Sequence, residues 1–123
     1  MPARTKIFFD GGLRPAGMEI AVVLRGRATI LTDLGPGTSM TAEWLALLHA
    51  AELARMERLA DAVLIGDAAA IVAQANGRVR TPPPHRDHLE RLCRLLGAGP
   101  PLRIRAVRRS HNLAGIALDR LHL

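Results

Sequence analysis

The sequence predicts an α/β fold: a mixed five-stranded sheet, an antiparallel meander followed by parallel strands, flanked by helices. Three observations predict it. Three strand-like segments stand at the front, separated by glycine turns. Two later strand-like segments alternate with helical ones, which favours parallel addition to the same sheet. The chain has 123 residues, 49% of them hydrophobic, enough for one packed core and no second domain, so 1–123 is read as a single domain.

Residues 4–10 read as the first strand, closed by Gly11-Gly12 and a turn at Pro15-Ala16-Gly17. EIAVVLR, 19–25, reads as the second strand, and Gly26 turns it into a third, ATILTDL, 28–34. Gly35-Pro36-Gly37 breaks the pattern. Thr38, Ser39 and Thr41 offer N-caps for a long helix from about 41 to 59. AVLIG, 62–66, has the continuous apolar character of a strand buried on both faces. A helix follows Asp67 and stops at Asn76-Gly77. Thr81-Pro82-Pro83-Pro84 is a stiff connector, and the next helix runs from about His85 to Leu96. LRIRAVR, 102–108, alternates at period two as a strand does, and a last helix spans about 112–121.

The formal charge is +6, and sixteen of the seventeen basic residues are arginine. Such a surface suits a polyanion gripped by guanidinium forks; a biased Arg- and Ala-rich composition is the alternative explanation. Phe8, Phe9 and Trp44 are the only aromatics, too few for base-stacking platforms. The single cysteine, Cys93, excludes an internal disulfide, which fits a reducing, cytoplasmic setting. Cys93 lies in a helical pattern between leucines and is expected in the core. No segment approaches membrane-spanning length.

Three acids fit poorly with packing. Asp10 follows Ile7-Phe8-Phe9 in a strand, where an unpaired charge is expensive to bury. On a helical wheel of about 100° per residue, Leu47, Ala50 and Ala54 fall within about 40° of Glu43, and Glu52 about 180° away. Glu43 therefore sits on the apolar stripe, although an acid near a helix N-terminus is also stabilised by the macrodipole. Asp67 lies at the carboxyl end of a strand, where α/β sheets hold their sites, and is equally placed to cap the next helix. Clustered, these carboxylates would repel unless a cation lay between them. All-oxygen donors suit Mg²⁺ or Mn²⁺, and no Cys/His spacing suits zinc. A carboxylate-held metal pair serves phosphodiester cleavage.

These motifs resemble the ribonuclease H family, type 1, in its short bacterial form, over nearly the whole chain. IFFDGG resembles its first-strand Asp followed by Gly. TSMTAEWLALLHAAELA resembles its T-N-N-x-A-E-x-x-A-L helix, and LIGDAAAIVAQANGRVR its strand-D-S-x-x-V-x-x-Q-x-x-G segment. The resemblance implies metal ligation by Asp10, Glu43 and Asp67, with Mg²⁺ or Mn²⁺ as cofactor and an RNA/DNA hybrid as nucleic-acid partner. It implies nucleic-acid contacts at Gly11, Gly12, Ser39, Met40, His111 and Asn112. Arg78, Arg80, Arg108 and Arg109 are candidates to grip phosphates.

The chain departs from the family pattern in four places. Ser39 and Met40 replace the two asparagines, and Ala68 replaces the serine after Asp67. Anchored on Asn112, the family's N-x-x-A-D pattern puts Gly115 on its alanine and Ile116 where the fourth acid belongs. Asp119, one helical turn later, is the alternative fourth ligand, or else a solvated acid. The family's histidine loop is shrunken; His111 is the only candidate nearby, or a residue leading into the last helix. The expected activity is endonucleolytic hydrolysis of the RNA strand by two-metal-ion catalysis. The alternative is a catalytically weak or inactive nucleic-acid-binding module of the same fold. The apolar side of the last helix also offers a homodimer interface.

Overall fold

The computed structural model describes residues 4–123. The strands are β1 (Thr5–Arg14), β2 (Gly17–Leu24), β3 (Arg27–Leu31), β4 (Ala62–Gly66) and β5 (Leu102–Ala106). The helices are α1 (Ser39–Met56), α2 (Ala69–Ala75), α3 (Arg86–Leu96) and α4 (Leu113–Leu121), with single 3₁₀ turns at Pro83–His85 and Arg109–His111. The five strands form one sheet in the order β3-β2-β1-β4-β5. β1, β2 and β3 pair antiparallel, and β4 and β5 add in parallel. The expected mixed sheet and element order are therefore what the chain adopts.

Several boundaries and placements differ from expectation; α1, for one, spans Ser39–Met56 rather than about 41–59. β1 does not end at Asp10: Gly11 and Gly12 stay in the ladder opposite Ile20 and Glu19, and the hairpin turns at Pro15-Ala16. Asp10 is thus mid-strand. β3 stops at Leu31, because Asp33 takes a left-handed backbone (φ 55°) that no strand continues through. β5 stops at Ala106. Cys93 is exposed, because α3 turns Leu92 into the core and leaves its neighbour outside. The β2–β3 turn is as expected: Arg25 and Gly26 both have positive φ (52° and 77°), the geometry of a tight hairpin.

Period-two alternation divides β1 between the two faces of the sheet. Ile7 and Phe9 point into the main core with Trp44, Leu47 and Leu64. Phe8 packs on the other side against the small cluster of Ala21, Val23, Ala114 and Leu118 beneath α4. α1 starts at its Thr38 cap, whose hydroxyl accepts from the Thr41 N–H at 3.0 Å. Inside the core the Trp44 indole donates to Gln74 Oε1 at 3.1 Å, joining α1 to α2. The apolar side of α4 faces β1 and β2 through Ala114 and Leu118.

Candidate metal centre

The β1–β4 ladder runs from Thr5↔Ala62 to Phe8↔Ile65 and stops there. Two residues further along, Asp10 and Asp67 continue the face of Phe8 and Ile65. They stand side by side where the two strands part, at the carboxyl end of the parallel pair. Glu43 arrives from α1. That helix crosses β1 at Gly11 so closely that a Cβ there would lie 2.3 Å from the Ala42 carbonyl carbon and oxygen. Only glycine admits this approach, and the Gly11 N–H donates to Glu43 Oε1. Asp10, Glu43 and Asp67 each place a carboxylate oxygen within 4.8 Å of the others.

Asp10 is 2% exposed and Glu43 8%. Burial raises the Asp10 pKa above its ordinary value. Burial, reinforced by the neighbouring Asp10, pushes Glu43 up to about 9. Asp10 Oδ1 is buried without a hydrogen-bond partner. An all-oxygen donor set with an orphaned, buried carboxylate oxygen fits a hard divalent cation. Asp67 is not the cap of α2: Ala68 holds that position, and no side chain caps it. Its Oδ2 instead accepts from the Asn112 amide at 2.8 Å.

Arg109 completes the cluster from the 3₁₀ turn. Its Nη1 donates to Asp10 Oδ2 at 2.6 Å and to Asp67 Oδ2 at 3.1 Å, and its Nη2 to Asp119 Oδ1 at 3.1 Å. Burial works against the guanidinium charge, but Asp10 and Asp67 more than reverse this, so its pKa lies above the usual arginine value. Asp119 lies outside the three-acid group and joins it through Arg109; its side chain is 61% exposed. Ile116, one turn earlier, is half-buried on α4.

Comparison with known proteins adds to this geometry. No family model matches the chain, and no curated protein matches it in sequence. Among solved structures, ribonuclease H1 from the halophilic archaeon Halobacterium salinarum NRC-1 is similar at 28% identity, with a TM-score of 0.79 over 94% of both chains. The chain has the ribonuclease H fold. The N-terminal ribonuclease H domain of a Mycobacterium tuberculosis protein shares the fold at 20% identity, covering 98% of this chain and 97% of that one, with a TM-score of 0.74. So does LC11 ribonuclease H1, solved in complex with an RNA/DNA hybrid, at 21% identity, 98% and 100% coverage and a TM-score of 0.75.

In this chain Ser39 and Met40 line a cavity of about 390 Å³ together with Asp10, Glu43, Asp67 and Arg109. Gly12 lies on β1 one residue beyond Gly11, half-buried. The Gly11 N–H is engaged by Glu43 rather than open to a ligand. Asn112, expected to touch nucleic acid, is fully buried. Its amide donates to the Phe9 carbonyl (3.0 Å) and to Asp67, and its Oδ1 accepts from Ala114 N–H (3.1 Å), capping α4. It positions Asp67 and locks α4 to β1. His111 is exposed on the 3₁₀ turn. Arg109, expected to grip phosphate, is committed to carboxylates instead, and nothing in its local sequence signals that. Arg78, Arg80 and Arg108 are exposed.

Proposed function

We propose that this chain is a nuclease that hydrolyses the RNA strand of RNA/DNA hybrids, using Mg²⁺ or Mn²⁺ held by Asp10, Glu43 and Asp67. The observation that carries this reading is the meeting of those three carboxylates at the parted end of β1 and β4. The hybrid complex of LC11 ribonuclease H1 supports the substrate class. A pair of divalent cations, once bound, supplies water activation and neutralises charge on the scissile phosphate and departing 3′ oxygen. The protein's part is to hold the oxygens rigidly. Asp10 is fixed in a mid-sheet strand, Glu43 is aimed by the Gly11 N–H, and Asp67 by Asn112. Ser39, on the cavity beside Glu43, has a hydroxyl suited to a ribose 2′-hydroxyl. Exposed arginines supply the salt-sensitive attraction for the phosphate backbone.

The test is cleavage of a labelled hybrid with Mg²⁺ or Mn²⁺ by the wild type, Asp10→Asn and Asp119→Asn. Cleavage by the wild type and its loss in Asp10→Asn is expected. Because Asp119 lies outside the three-acid group, Asp119→Asn should keep cleavage; its loss there would make Asp119 a fourth ligand. A hybrid-binding module without cleavage is the second reading, favoured by Ile116 at the fourth-acid position. Salt-sensitive hybrid binding by an inactive wild type would select it.

A further inference from the structure

We propose that Arg109 is a tethered counter-ion that competes with divalent cations for Asp10 and Asp67, and that Gly115 is the berth that admits it. This rests on reading the three acids as a metal centre.

The guanidinium already occupies the position a cation would need. Nη1 lies 2.6 Å from Asp10 Oδ2 and 3.1 Å from Asp67 Oδ2. A cation at about 2.1 Å from the same oxygens has no room beside that nitrogen. The two positive groups would also repel at such a separation. Occupancy is therefore exclusive at these oxygens.

Gly115 supplies the second observation. It is buried inside α4, where glycine is disfavoured and calls for a spatial reason. A Cβ on residue 115 would lie 2.9 Å from Arg109 Cζ and 2.9 Å from Nη1, with Nε at 3.2 Å. The missing methyl is filled by the plane of the guanidinium. Asp119 is the outer hook: it holds Nη2 and is largely exposed, as half of the Arg109 side chain is. A guanidinium so placed can leave the inner carboxylates toward solvent while keeping its outer partner. Arg109 thus neutralises acids that would otherwise repel, and yields to a cation.

The test is calorimetric titration of the full chain with Mn²⁺, without nucleic acid, beside thermal melting in metal-free buffer. Arg109→Gln should bind Mn²⁺ about tenfold more tightly, the factor that ~1.4 kcal/mol makes. It should melt lower than the wild type without metal and regain that loss with Mn²⁺. Gly115→Ala keeps every charge but crowds the berth, and should tighten Mn²⁺ binding in the same direction. Arg120→Gln removes the same charge from α4 away from the cluster and should leave affinity unchanged. Equal or weaker binding by Arg109→Gln overturns the competition while the metal centre stands. Equal tightening by Arg120→Gln overturns it too, assigning the effect to net charge. No change in Gly115→Ala overturns the berth. No Mn²⁺ binding by the wild type or Arg109→Gln overturns the metal reading and the competition with it.

Discussion

On the α1 side of the sheet, Ile7 and Phe9 meet Trp44, Leu47 and Leu64, and the packing is apolar almost throughout. On the α4 side the same strand sends out Phe8 and then Asp10. The buried apolar cluster there is smaller, formed by Ala21, Val23, Ala114 and Leu118, with Val63 and Ile65 also buried on that face. Around that small patch the α4 side holds charges. Glu19, 3% exposed, is clasped through both oxygens by His122 Nε2 at 2.7 and 2.8 Å. Asp10 is held by Arg109. One face derives its stability from area removed from water. On the other, each buried charge needs its own partner, and the partners come from the last fifteen residues of the chain. Separable effects follow: on the α1 side, stability with Glu43 as the one acid of the cluster; on the α4 side, chemistry with little stability.

The largest effect should come from Asp10→Asn. Removing the central carboxylate should lower hybrid cleavage by roughly a thousandfold or more, about 4 kcal/mol of transition-state stabilisation. Its melting temperature should stay within a few degrees of the wild type, because a carboxylate that burial penalises is being neutralised. A large loss of stability would break the contrast between the faces. Leu47→Ala is the counterpart on the α1 side. Leu47 is fully buried, so the variant should lose about 2–5 kcal/mol by urea unfolding, with cleavage per folded molecule retained.

A smaller effect sharpens the contrast through pH. Glu43 has a folded pKa of about 9 against an ordinary 4.5. Between those values the folded chain keeps a proton that the unfolded chain has released. The stabilising contribution is therefore complete below about pH 4.5 and declines as pH rises toward about 9. Melting temperature without metal should fall across that window in the wild type, and more shallowly in Glu43→Gln. Mn²⁺, which favours the ionised carboxyl, should flatten the wild-type slope. Equal slopes in the two proteins would remove Glu43 as the cause. The smallest effect belongs to Thr38→Ala, which deletes the α1 cap. About 1 kcal/mol should be lost in urea unfolding, with no change in Mn²⁺ affinity.

Several parts of the centre were legible as local pattern. A strand reads at period two, so the acid at position 10 announces itself after Ile7-Phe8-Phe9. A helix reads at 3.6, so Glu43 falls on the stripe of Leu47, Ala50 and Ala54, and it is indeed buried. Asp67 was ambiguous between a cap and a site residue, because both occupy a strand-to-helix junction; the uncapped start of α2 excludes the cap, and Asp67 is held by Asn112 and Arg109 instead. Local pattern misplaced Cys93, since one helix position separates a core residue from an exposed one. For Asn112, which the resemblance assigned to nucleic acid, local pattern gives no guide, because an asparagine before a helix looks the same whether its amide faces solvent or the Phe9 carbonyl.

The order of strands and helices, the mixed sheet and the three inner acids follow from the sequence, because periodicity, turn residues and strand ends are short-range properties. Tertiary structure alone decided what stands among those acids. Arg109 lies 99 residues from Asp10, and its hold on three carboxylates exists only once α4 has docked and Gly115 has left it room. Such a contact depends on chain closure and on a methyl that is missing, and neither leaves a local pattern to read.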